Sequence, residues 1–372
     1  MFLKIIVCTS LLAMATTSHA QETDWKNPIG HGDPATTGSK EFLVISRGGE
    51  AGPYQAFPDA TRLANGDIVA VFYSGYGHVS LAKPGWEKGG RLAMVRSSDE
   101  GTTWTAPKII FDDERDNRDP HITELNDGTL LVTFFSLVAA TAVDGQPTNK
   151  RETSGTEIIA SHDGGATWSA PRAIAPGWYV SAPVRQLKDG TCLLGIYGRD
   201  PETQEKQGAV LVSKDNGKTW SEPRRIGAGQ NLPVDAETDV IELNDGRVFA
   251  AMRTHNNNMY LAYSKDKGET WEPAFEADFR GHAPHFTRLS GGEILMTHRL
   301  PDTSLHVSRD DTRTWEGPYQ IDNVFGGYAA TVELKDGTVL VIYYTEGDDS
   351  HVRARRFELK PDGPHYLPIT NR

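Results

Sequence analysis

Cysteine is nearly absent from this chain, with only Cys8 and Cys192 among 372 residues. Cys8 falls in an N-terminal stretch with Lys4, an apolar run over residues 5–15 and a small-residue end, Ser18-His19-Ala20. That pattern predicts a secretory signal peptide over residues 1–20, cleaved near Ala20, and a secreted or periplasmic product. The run is too short to span a bilayer, which excludes membrane insertion by this segment. The exported chain would carry Cys192 alone, so no intrachain disulfide can form, and burial and hydrogen bonding must hold the fold. Basic runs are also missing, and the net charge is −12. Both facts argue against nucleic acid and anionic membranes as partners. No metal-binding motif or nucleotide loop occurs, so no cofactor and no metal are expected. Helical periodicity of useful length is missing as well.

Repetition fills the space. The phrase Ser97-Ser98-Asp99-Glu100-Gly101-Thr102-Thr103-Trp104 returns at 161–168, 213–220, 264–271 and 308–315, with Ser, Asp, Thr and Trp at the same offsets. Only the last copy loses its glycine, to Thr312. In such a turn Asp accepts backbone N–H groups, Gly takes a positive φ, and Trp buries a large ring beside it. A second phrase, Leu-x-Asn/Asp-Gly or its variant Leu-Ser-Gly-Gly, precedes an apolar run six times, at Leu63, Leu125, Leu187, Leu243, Leu289 and Leu334. It signals two strands joined by a tight turn. The turn glycines are spaced by 62, 62, 56, 46 and 45 residues, room for four short strands per unit.

Six such units predict an all-β, six-bladed β-propeller over residues 41–359, with residues 21–40 as a lead-in and 360–372 as a tail. The sixth unit has no Asp-bearing phrase; its outer strand is expected from residues 41–46, which would close the ring beside residues 351–359. Both repeated turns should lie on one face. The opposite face then receives the long connections 74–90, 136–155, 198–207 and 227–236.

Stacking the units by their turns selects residues near the central axis. Six positions before the turn leucine stand Phe57, Asp119, Ser181, Glu237, Ala283 and Tyr328; seven after the turn glycine stand Tyr73, Phe135, Tyr197, Arg253, Arg299 and Tyr344. Arg253 and Arg299, on neighbouring blades, suit a carboxylate or sulfate clamp, because guanidinium forks bind such groups bidentately. Glu237 and Tyr328 can form a catalytic pair, since a phenol is a poor nucleophile until a carboxylate takes its proton. His121 and His285, each four positions before its turn leucine and on opposite blades, are candidates to line the pocket, too far apart to share a metal.

These residues and the five Asp-bearing turns resemble the sialidase superfamily, whose repeated turns are called Asp boxes. The resemblance implies an exo-acting glycosidase that removes a terminal acidic sugar from a glycan. It assigns Arg253 and Arg299 to two of three clamp positions, Glu237 to the helper carboxylate and Tyr328 to the nucleophile. Asp119, Tyr197, His121 and His285 remain as substrate-binding candidates. Two places depart from the family pattern. Ala56 stands where the first arginine belongs, with Arg47 and Arg118 as possible replacements. The 74–90 loop holds no Asp for the acid/base and offers His78 and Glu87, with Asp59 and Asp119 as further candidates. Two alternatives stay open: a propeller glycosidase or lyase with a histidine acid/base acting on uronate- or rhamnose-containing polysaccharide, and a glycan-binding propeller without activity. A monomer is expected.

Overall fold

The computed structural model describes residues 41–83, 88–141, 147–199, 204–324 and 326–369; the signal segment, the lead-in and Glu87 lie outside them. The described residues form six antiparallel sheets, the blades of a six-bladed propeller, and the single helical element is a short 3-10 turn at Gly49–Ala51. No helix among them is long and apolar enough to cross a membrane. The first blade shows the plan: Tyr54–Arg62 at the axis, then Ile68–Gly75, Arg91–Ser97 and Lys108–Phe111 outward. Ile68–Gly75 is buried along its whole length, as expected for a strand covered on both faces.

Ring closure follows expectation and adds a piece. Leu43–Ser46 pairs with the first half of Val352–Lys360, through Leu43↔Ala354 and Ser46↔Val352. The second half of that strand pairs with Gly363–Leu367, a strand in what the sequence suggested was a tail. Its reason lies in the packing between blades. Trp104, Trp168, Trp220, Trp271 and Trp315 each pack against an apolar cluster shared by their own blade and the one before. The sixth blade has no such tryptophan, and Tyr366 of the added strand packs on the cluster between blades five and six instead. Cys192 is sealed in the cluster between blades two and three, where burial pushes its thiol up to about 11.

The repeated turns share one face, as predicted. In the first Asp box, Asp99 accepts from Thr103 N at 2.8 Å and Thr103 Oγ1 at 2.6 Å, while Ser97 Oγ takes Gly101 N at 2.9 Å. The last box keeps this geometry without glycine: Thr312 holds φ 74° and its N–H reaches Ser308 Oγ at 2.8 Å. Four of the five boxes also touch the tight turn of the preceding blade, through Glu100 and Lys335, Asn216 and Asp127, Lys267 and Asp189, and Asp311 and Asn244. One expected loop is a strand pair instead: Leu130–Thr141 and Pro147–Ser161 run on together past the blade, with Ala139 opposite Arg151.

Candidate active site

Each axial strand except the third and fifth breaks register where the stacked position falls: between Ala56 and Asp59, Arg118 and His121, Ala236 and Thr238, and Gly327 and Ala330. Phe57, Asp119 and Tyr328 at three of these breaks adopt left-handed φ of 46–52°, and Ala283, just ahead of the unbulged fifth axial strand, does the same. Such a conformation costs a non-glycine residue about 1–3 kcal/mol, and a bulge re-aims the side chain out of the pleat. The same device on blade after blade turns unlike residues toward one axial space.

On blades four to six it assembles a charged half. Tyr328 Oη donates to Glu237 Oε1 at 2.5 Å, and both residues are buried. Arg253 donates to both Glu237 oxygens at 2.8 and 3.0 Å. The Arg299 guanidinium lies 4.9 Å from the Tyr328 ring centre. A Cβ on Gly327 would stand 2.7 Å from that of Arg299, so the glycine makes room for this contact. Burial alone would raise Glu237, but Arg253 and Arg299 hold it down to about 2. Burial, then the charge of Glu237, push Tyr328 well above the ordinary phenol range. The resting pair is therefore a neutral phenol donating to a charged carboxylate. His282, not singled out by the sequence, sits beside both arginines; burial and their charges hold it down to about 2, a neutral hydrogen-bonding group.

Blades one and six supply an aromatic half. Ala56 is fully buried among Tyr54, Phe57, Tyr73, Tyr328 and Tyr344, so an apolar wall occupies the place of a first arginine. Phe57 meets Tyr328 and Tyr344 edge-on, at 5.1 and 5.2 Å between ring centres. Both candidate replacement arginines are engaged elsewhere. Arg47 is exposed and paired to Asp349. Arg118 is buried over Phe57, pairs with Asp116 and donates to the carbonyl of His78, so it secures the loop that carries His78.

That loop brings His78 to the pocket mouth, edge-on to Phe57 at 5.4 Å. Its Nδ1 lies 3.0 Å from Tyr54 Oη and 3.4 Å from Glu346 Oε2. Glu346 accepts from Tyr54 Oη at 2.6 Å and from Tyr344 Oη at 3.0 Å. Burial would raise Glu346, but hydrogen bonding and charge from His78 and the bonds from both tyrosines bring it to about 2. A proton on Nδ1 can serve these partners and leaves Nε2 for a ligand. Sequence reasoning missed Glu346. The one available signal was its place two residues beyond the axial Tyr344.

Asp119 and Tyr197 belong to the pocket: Ser181 Oγ donates to Asp119 at 2.8 Å and lies 3.4 Å from Tyr197 Oη. Burial raises Asp119 despite Arg118. Asp59, His121 and His285 do not face a substrate. Asp59 is 1% exposed, accepts from Ile122 N at 2.8 Å, and lies 3.0 Å from His285 Nε2 and 3.5 Å from His121 Nδ1. Two residues further along the axial strands than Phe57, Asp119 and Ala283, they form a buried layer, which removes Asp59 from proton transfer to substrate. Opposite blades proved no barrier, since both imidazoles reach the axis and their centres stand 6.5 Å apart. Among the described residues no three or more His, Cys, Asp or Glu side chains converge in metal-ligand geometry.

Residues 85–341 match the BNR repeat-like domain family. A sialidase of Paraclostridium sordellii is 25% identical over 367 residues, covering 85% of this chain and 84% of that protein. The NanB sialidase of Streptococcus pneumoniae shares the fold with a TM-score of 0.65 at 14% identity, over 86% of this chain and 71% of that one. An α-L-arabinanase of Penicillium chrysogenum, solved with arabinobiose, does so at 0.63 and 18%, over 86% and 98%.

Proposed function

Starting from the fact that this chain belongs to the BNR repeat-like domain family, we propose that it is an exo-glycosidase that removes a terminal acidic sugar, sialic acid or a close analogue, from glycans. The observation that carries this reading is the 2.5 Å bond from Tyr328 to Glu237 beside Arg253 and Arg299. An arriving carboxylate would share both arginines. Their hold on Glu237 would weaken, its basicity would rise, and it would take the Tyr328 proton as the phenolate oxygen attacks the anomeric carbon. Substrate charge thus switches on the nucleophile that the resting site keeps protonated. His78, oriented through Nδ1 by Tyr54 and Glu346, protonates the departing oxygen from Nε2 and later deprotonates water.

The test is release of the aryl group from an aryl α-sialoside. Wild type should release it, and Tyr328→Phe and Arg253→Ala should not. His78→Ala should keep much of the rate on an activated aryl leaving group, which needs little protonation, and lose about 100-fold or more on an unactivated glycan. No release by wild type sinks the reading.

The aromatic wall at Ala56 and Phe57 favours one alternative, a sugar without a carboxylate at that side. An aryl α-L-arabinofuranoside assayed in parallel, with absorbance of unsaturated products recorded on uronate polysaccharides, separates a neutral-sugar hydrolase and a lyase from the proposed activity.

A further inference from the structure

Beyond the terminal-sugar pocket the aromatic surface continues outward. Tyr197 stands beside Ser181 in the pocket, and across the sheet its partner in register is Tyr179. The two rings stack at 5.4 Å between centres and 15° between planes, and Phe135 meets Tyr179 edge-on at 5.1 Å. Tyr179 is half-buried, so part of its ring faces solvent. Val79 and Leu81, which follow His78 in its loop, pack against the same apolar cluster as Tyr179.

Two cations frame this ring. Arg199 lies two residues beyond Tyr197 on one strand, hence on the same sheet face, and is exposed. Arg151 is exposed on the extended Pro147–Ser161 strand, where the blade-two strand pair overruns its blade. Burial raises the Tyr179 phenol, with Arg199 and then Arg151 drawing it back, so both charges are felt at that oxygen. Arg199 donates to the carbonyl of Gln204 at 2.8 Å, a contact that leaves its positive charge uncompensated.

We propose that Tyr179, flanked by Arg151 and Arg199, is a binding subsite for the sugar on the leaving-group side of the scissile bond, and that this sugar carries a carboxylate or sulfate. The direction rests on the function proposed above, which puts the terminal sugar on Tyr328 and the glycosidic oxygen at His78. The next sugar then runs toward the cluster on which Tyr179 and the residues after His78 both pack. A tyrosine face suits the apolar side of a pyranose, and two guanidinium forks suit an anion at its edge.

The experiment compares kcat/KM on a methyl α-sialoside, too short to reach Tyr179, with a sialyl trisaccharide whose penultimate sugar is neutral and the same trisaccharide sulfated on that sugar. Tyr179→Ala should lower kcat/KM on both trisaccharides by about 5- to 10-fold and leave the methyl glycoside unchanged. Arg151→Ala/Arg199→Ala should erase a preference for the sulfated substrate and its salt dependence, sparing the neutral one. Variants that match wild type on all three substrates, or lose rate equally on all three, overturn the subsite. Calorimetry separates its fate from that of the proposed activity, using polyuronate and sulfated oligosaccharides with Tyr328→Phe protein. Binding that disappears in the Tyr179 and double arginine variants upholds the subsite even if no sialoside is cleaved. No binding in any form, with no turnover, overturns it.

Discussion

The two faces of this propeller use repetition in opposite ways. On the Asp-box face five copies of one phrase make the same hydrogen bonds at the same distances, and each tryptophan fills the same seam between blades. On the pocket face the backbone device recurs as a left-handed φ at a bulge, while the side chain it aims is Phe57 on one blade, Asp119 on the next and Tyr328 on the last. Identical residues at equivalent sites hold a ring together. Unlike residues at equivalent sites give that ring an asymmetric pocket, with charge on blades four to six and aromatic surface on blades one and six.

Substitutions should therefore divide into two kinds. Tyr328→Phe should lose activity by at least about 1,000-fold while the urea midpoint stays within error, because it deletes one hydroxyl from the pocket and nothing from the seams. A large stability loss instead would blur the division. Trp168→Ala should do the reverse. It removes an indole from the seam between blades one and two and should cost about 3 kcal/mol in urea unfolding, with kcat/KM per folded molecule unchanged.

Acid should act on the Asp-box face as a set. Hydrogen bonds from Thr219 and Ser213 depress Asp215 to about 2, and the carboxylates of the other four boxes are lowered by equivalent bonds. A carboxylate depressed in the folded state stabilises above its unfolded pKa of about 3.9 and loses that contribution as pH falls through the folded value. Circular dichroism should show stability intact at pH 5 and falling steeply from about pH 4 toward 2; a flat profile would mean the boxes carry little of it. The smallest effect is expected at the one imperfect copy. Thr312→Gly should stabilise by about 1 kcal/mol, because a β-branched residue is held at φ 74°, with its bond to Tyr263 as the offsetting loss.

The same contrast explains what could be read in advance. Blade number, ring closure and the axial positions were legible because repeats carry their own register, and the stack that selected Glu237, Tyr328, Arg253 and Arg299 is one the backbone repeats. His78 meeting Glu346 was not legible: they are 268 residues apart and come from loops that no repeat aligns. Asp59 was misjudged because the side of the strand it faces depends on the bulge at Phe57, which inverts the simple alternation. Arg118 could be named but not placed, since its guanidinium is fixed by a carbonyl in a neighbouring blade's loop. The strand Gly363–Leu367 escaped notice because it substitutes for a missing repeat.

The closing blade ties the candidate site to the last step of assembly. It carries Tyr328 and Glu346, and it is finished by Leu43–Ser46, paired to a strand some 300 residues later in the chain. During synthesis and folding the blade of Tyr328 lacks part of its outer edge until the two ends of the propeller meet. A chain captured earlier, or clipped just before Tyr54, would keep most of its blades but lack the clasp. Chemistry is thereby tied to completion: an unfinished ring has the residues of the site without their geometry.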